Sequence, residues 1–77
     1  MLHAYVLIET EVGKVAHVAH SITSLDGVQS AEDVAGPYDV IARVQAAGVD
    51  ELGKLVVYGI QALDGVTRTL TCTVIHR

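Results

Sequence analysis

Tyr38 and Asp39, closing the run Gly36-Pro37-Tyr38-Asp39, are the residues of this 77-residue chain best suited to grip a small molecule. A carboxylate such as that of Asp39 holds an ammonium group, and Tyr38 offers an aromatic wall tipped by a hydroxyl. A second set lies downstream, where Thr67, Thr69 and Thr71 alternate along the chain and can bond a carboxylate through their hydroxyls. Together the two sets suit a zwitterion, a free amino acid. The same turn also fits a plainer reading, in which Asp39 bonds its own backbone and Tyr38 packs locally. On spacing alone the plainer reading is the stronger of the two.

Other chemistry finds less support. His17 and His20 lie three apart on a helical stretch, off its apolar stripe, and His3 and His76 fall near each other if the first and last strands pair. Neither pair is joined by a carboxylate or cysteine at ligand spacing, so no metal or other cofactor is expected. Neither Ser21 nor Cys72 has the base and orienting group that a nucleophile needs, so no catalytic residue is expected either. Cys72 falls on the side of its strand expected to face the core, where a cysteine acts as a small hydrophobe. A single cysteine also excludes an internal disulfide.

The elements that must position these residues follow from periodicity. Ala4 to Glu9 is a short apolar run of strand length. From Lys14 to Leu25, apolar residues at Val15, Val18, Ala19, Ile22 and Leu25 mark one helix face. Val28 to Ala35 reads as a strand whose Glu32 and Asp33 suit a sheet edge. Val40 to Ala46 alternates as a half-buried strand. Asp50 is placed to cap a second helix, whose stripe runs Leu52, Leu55, Val56, Gly59, Ile60 and Leu63. Gly59 on that stripe suits a close approach of the helix to the sheet. Val66 to His76 reads as a last strand, with Leu70, Cys72 and Val74 on one side and the threonines on the other.

The two halves repeat. Leu25-Asp26-Gly27-Val28 returns as Leu63-Asp64-Gly65-Val66 at an offset of 38 residues, each time between a helix and a strand. The resulting order, strand-helix-strand-strand-helix-strand, predicts an α+β single domain over residues 1–77. Its form is the ferredoxin-like split βαβ fold, with a four-stranded antiparallel sheet and both helices on one face. The helices are expected to cover Val40, Val44, Leu70 and Val74, leaving Ile41, Arg43 and the threonine row on an open face.

Composition narrows the function classes. At 51% hydrophobic, the chain carries more apolar surface than so small a domain hides, which points to association with copies of itself. A net charge of −4 argues against direct nucleic-acid contact. The absence of a long apolar run or a charged leader leads to the expectation of a cytoplasmic chain without membrane contact.

From Ala4 to His76 the chain resembles the effector-binding (RAM) domain of the Lrp/AsnC regulators. The matching stretches are Leu25 to Val28, Gly36 to Val44, Leu52 to Ile60, and Leu63 to Thr71. The resemblance implies dimers formed through open sheet faces, rings of dimers such as octamers, and amino-acid effectors held in clefts between dimers. It gives Gly36, Tyr38 and Asp39 a ligand role, and extends one to Thr67, Thr69 and Thr71. Family regulators carry a helix-turn-helix domain that these residues do not contain. The expectation is therefore a stand-alone sensing and assembly domain, mixing with full-length relatives and regulating amino-acid metabolism without touching DNA. An ACT-type module shares the order of elements. A small dimeric α+β-barrel enzyme of monooxygenase type does so too, but needs convergent His, Asn or Trp, and this chain has no Trp or Asn. A pure assembly module without ligand is the remaining alternative.

Overall fold

Two kinds of periodicity build the molecule. In the computed structural model, which describes residues 1–75, the elements run β1 (Leu2–Thr10), α1 (Val15–Ile22), β2 (Val28–Asp33), β3 (Val40–Ala46), α2 (Val49–Lys54) and β4 (Val66–Thr73). α2 continues without a break as a wider π-helical segment over Leu55–Ile60. The strands form one antiparallel sheet in the order β2-β3-β1-β4, the ferredoxin-like arrangement. Ala4, Val6 and Ile8 of β1 and Val40, Ala42 and Val44 of β3 are fully buried on one face of the two central strands. Val18 and Ile22 of α1, with Leu52, Val56 and Ile60 of the second helix, close over them. Each buried Val, Leu or Ile among them contributes roughly 1.5–3 kcal/mol by leaving water.

The internal repeat is a structural repeat. In the first copy Leu25 N–H bonds Ile22 C=O at 3.1 Å and Val28 N–H bonds Leu25 C=O at 3.2 Å. In the second, Leu63 bonds Ile60 at 3.1 Å and Val66 bonds Leu63 at 3.2 Å. Gly27 and Gly65 take the left-handed conformation, φ 96° and 99°, and each carbonyl then accepts a bond of 2.8 Å, from Gln45 and Glu11 respectively. A side chain could not follow here: a Cβ on Gly27 would lie 2.8 Å from the Gln45 carbonyl oxygen.

Several boundaries differ from the expectation, and the causes are local. α1 ends at Ile22, and Leu25 belongs to the turn after it. β2 stops at Asp33, short of Ala35. β4 stops at Thr73, and His76 lies outside the described residues. Gly48 rather than Asp50 precedes the second helix; Asp50 and Glu51 sit in its first turn, where carboxylates favour the positive end of the helix.

The larger correction concerns β4. Thr69, Thr71 and Thr73 pair with Ile8, Val6 and Ala4, so the threonine row shares the helix side of the sheet. Leu70 and Cys72 pair with Leu7 and Tyr5 and occupy the open face, Leu70 at 48% exposure and Cys72 exposed. The expectation assumed that the apolar side of the last strand turns toward the helices. β4 is an edge strand, and its helix side lies at the rim of the core, where hydroxyls are tolerated.

Candidate functional site

β3 begins at Val40, opposite Ile8, so the turn before it stands at the end of the sheet where β1 finishes and β4 starts. Asp39 holds this turn in place. Its N–H donates to Ile8 C=O and its C=O accepts from Val34 N–H, both at 2.9 Å. Its carboxylate Oδ2 accepts from Thr10 N–H at 2.8 Å and from Thr10 Oγ1 at 3.2 Å. The sequence led us to expect a side chain aimed at a ligand's ammonium and independent of the fold. One of its oxygens instead secures the end of β1, while Oδ1 accepts no bond among the described residues.

Tyr38 is half-buried beside this turn and meets β4 through Arg68, whose guanidinium carbon lies 5.9 Å from the ring centre. Arg68 also approaches Glu9, with Nη2 3.7 Å from Oε2. Next to this cluster, an open depression of about 350 Å³ is lined by Gln61, Val66, Thr67, Arg68 and Thr69. Thr67 Oγ1 donates to Glu9 C=O at 3.0 Å, and Thr69 Oγ1 accepts from Gln61 Nε2 at 2.9 Å.

The six residues singled out from the sequence therefore divide. Gly36, Tyr38 and Asp39 form one group, and Thr67 and Thr69 line the depression beside it. Arg68 belongs to both neighbourhoods. Thr71, opposite Val6, sits further along the strand and does not line the depression. Sequence reasoning passed over Thr10, Gln61 and Arg68. Arg68 was visible as the cation inside the Thr67-Arg68-Thr69 run. Gln61 was visible only as the polar residue following the last turn of the second helix.

The open sheet face is a second surface. Arg43 Nη1 donates to the Tyr5 hydroxyl at 2.9 Å, with its guanidinium 5.5 Å from the Tyr5 ring centre. Arg43 Nε donates to Gln29 Oε1 at 3.2 Å, and Gln29 Nε2 to Gln45 Oε1 at 3.0 Å. Leu7, Ile41, Leu70 and Cys72 lie beside this network. It is a mixed face, with an apolar centre and fixed polar groups, as interfaces between subunits are. Among the described residues, no three His, Cys, Asp or Glu side chains gather as a metal site would require, and no helix is long and apolar enough to cross a membrane.

Comparison with known proteins places this geometry. The model of the Lrp/AsnC ligand-binding domain matches residues 3–77. An HTH-type transcriptional regulator of Pyrococcus furiosus is 37% identical over 54 residues, which cover 70% of this chain and 36% of that protein. The chain thus spans about a third of the length of the curated regulators it matches. A homocitrate synthase of Saccharolobus islandicus matches at 32% over 60 residues, 78% of this chain and 13% of that enzyme. Among solved structures, a Thermus thermophilus protein superimposes with a TM-score of 0.94 at 36% identity, covering 100% of this chain and 96% of that one. A Neisseria meningitidis transcriptional regulator, solved as a complex with L-Met, shares the fold with a TM-score of 0.85 at 17% identity, covering 97% of this chain and 50% of that one.

Proposed function

The chain belongs to the Lrp/AsnC ligand-binding-domain family, and from that premise we propose that it senses a free amino acid where the Gly36–Asp39 turn meets the start of β4. The observation that carries this reading is Arg68, which lines the depression with Thr67 and Thr69 and also meets Glu9 and the Tyr38 ring at the same end of the sheet. Arg68 supplies the cation for a carboxylate, Asp39 Oδ1 and Glu9 offer anions for an ammonium, and Thr67 and Thr69 add hydroxyls. Gly36 and Tyr38 complete the proposed site as its turn and its aromatic wall, while Thr71, further along β4, is left outside it. The L-Met complex of the Neisseria regulator supports an amino acid as ligand class.

The domain acts by assembly rather than by touching DNA. Tyr5, Ile41, Leu70 and Cys72 leave an apolar centre on the open face, which supports dimerisation there and a ring of dimers beyond it. Mixed assemblies with longer family members would carry its ligand response to DNA. The net charge of −4 supports the lack of direct DNA contact. No catalytic role or cofactor enters this reading, and its setting is the cytoplasm.

Thermal denaturation against each of the twenty amino acids tests the ligand. One present at about a hundred times its Kd should stabilise the fold by roughly 2.7 kcal/mol. At roughly 4–8 °C per kcal/mol in a domain of this size, the shift would exceed about 10 °C. An intact oligomer whose melting temperature none of the twenty moves would replace sensing with pure assembly.

A further inference from the structure

Gln61 enters the depression through a deformation of the helix before it. Over Leu55–Ile60 the second helix widens to π geometry, and Gln61 N–H closes the last wide turn on Val56 C=O at 2.8 Å. Such turns are rare and recur at functional sites. Each residue of an ordinary α-helix advances about 100° around the axis, so absorbing one extra residue rotates everything after it by about that much. The neighbours Ile60 and Ala62 have no hydrogen-bonding side chain. The wide turn thus decides that a carboxamide, and not an aliphatic group, stands over Thr69.

That carboxamide is held and incompletely used. Nε2 donates to Thr69 Oγ1 at 2.9 Å, leaving Oε1 and the second N–H without a partner among the described residues. One free acceptor beside one free donor is the complement of another carboxamide, and the next best match is a hydroxyl. It offers nothing to neutralise a charged side chain, and Val66 is the one aliphatic residue in the lining.

We infer that Gln61, placed by the π-helical turn, is a specificity-determining residue that selects an amino acid with a neutral hydrogen-bonding side chain, a carboxamide first. This rests on the sensing function proposed above. It adds to that function the side-chain class of the effector and the residue that reads it.

Calorimetric titration of the full chain with L-glutamine, L-asparagine, L-serine, L-leucine and L-glutamate tests it. The wild type should bind one of the carboxamide amino acids about tenfold or more tighter than leucine, the effect of one to two net hydrogen bonds. Gln61→Leu, similar in size but unable to hydrogen-bond, should erase that preference. Because Gln61 is exposed, the unliganded melting temperature should stay within about 2 °C of wild type. Gln61→Ser, shorter and polar, should weaken the preference without reversing it, and serves if the leucine variant aggregates. An unchanged ranking in the variants, or a wild type that favours leucine or glutamate, overturns the role of Gln61 and leaves sensing intact. A wild type that binds none of these five overturns the role of Gln61, and one that also responds to none of the twenty in the thermal screen overturns sensing as well.

Discussion

Replacing Asp39 by alanine should destabilise the domain before any ligand is considered. The backbone ladder between β1 and β3 ends at the pair Ile8 and Val40. Thr10 N–H, the next donor aimed at β3, finds no strand carbonyl and bonds the Asp39 carboxylate at 2.8 Å instead. Hydrogen bonds to a charged acceptor contribute roughly 1.5–3 kcal/mol. The site is half-buried, so water replaces part of the loss, and the second contact, from Thr10 Oγ1 at 3.2 Å, is the weaker. A cost of about 2 kcal/mol follows, a fall of roughly 8–16 °C in melting temperature. Asp39→Asn keeps a neutral acceptor and should lose about half as much. Circular-dichroism melts at matched protein concentration measure this, since the proposed association would make the midpoint concentration-dependent. Urea titrations should show a lower midpoint at unchanged slope. An Asp39→Ala protein melting within about 2 °C of wild type would refute the structural role of the carboxylate. The result also governs how the ligand site is tested: loss of ligand response in Asp39→Ala would mix a missing contact with a loosened turn, and Asp39→Asn separates the two.

Gly27→Ala should cost more than Gly13→Ala. Both glycines have positive φ, which costs roughly 1–2 kcal/mol with a side chain, but only Gly27 would also press its Cβ on the Gln45 carbonyl, while Gly13 faces open space; chemical denaturation measures both. Leu70→Asp should split the proposed dimer by placing a charge on the open face, as should Ile41→Asp, and light scattering behind a sizing column reads the mass; a variant of wild-type mass would move the proposed interface off this face. Lys14 Nζ donates to Asp64 Oδ2 at 2.9 Å; that bond and the ammonium charge hold the Asp64 carboxyl below its usual 3.8, and the same bond and the carboxylate charge raise Lys14 above 10.5. The depressed acid stabilises above its unfolded value and loses this as pH falls through the folded one; the raised base stabilises below its unfolded value and loses this as pH rises through the folded one. Asp64→Asn should therefore cost a small amount of stability at neutral pH. The difference should vanish in stronger acid and shrink in high salt, because both groups lie in solvent.

What the sequence revealed about this domain depended on whether one cause or two acted on a residue. At Gly27 and Gly65 a positive φ and close neighbours demand the same residue, so the Leu-Asp-Gly-Val repeat led to two turns with matching bonds and to the whole order of elements. The central strands answer to one core, and the alternation of Val40, Ala42 and Val44 pointed to the correct face. On β4 two demands compete. The helix side of an edge strand is only the rim of the core, while the open face has an apolar centre of its own at Leu7 and Ile41. Leu70 and Cys72 therefore turn away from the helices, and the rule that apolar residues face the helices chose the wrong side. Asp39 illustrates the same conflict within one side chain. Its place in the Gly-Pro-Tyr-Asp run pointed to a ligand, and the plainer reading had it bonding its own turn. Its partner is Thr10, 29 residues away in the chain. A contact at that distance leaves no local pattern and becomes visible only once β1 and β3 are in register. The position of Gln61 was hidden for a third reason. The stripe from Leu52 to Leu63 fits an ordinary α-helix, and the widening at Leu55–Ile60 has no period that a stripe can reveal. Its consequence, one carboxamide turned over Thr69, is the feature on which ligand choice in this domain is argued to depend.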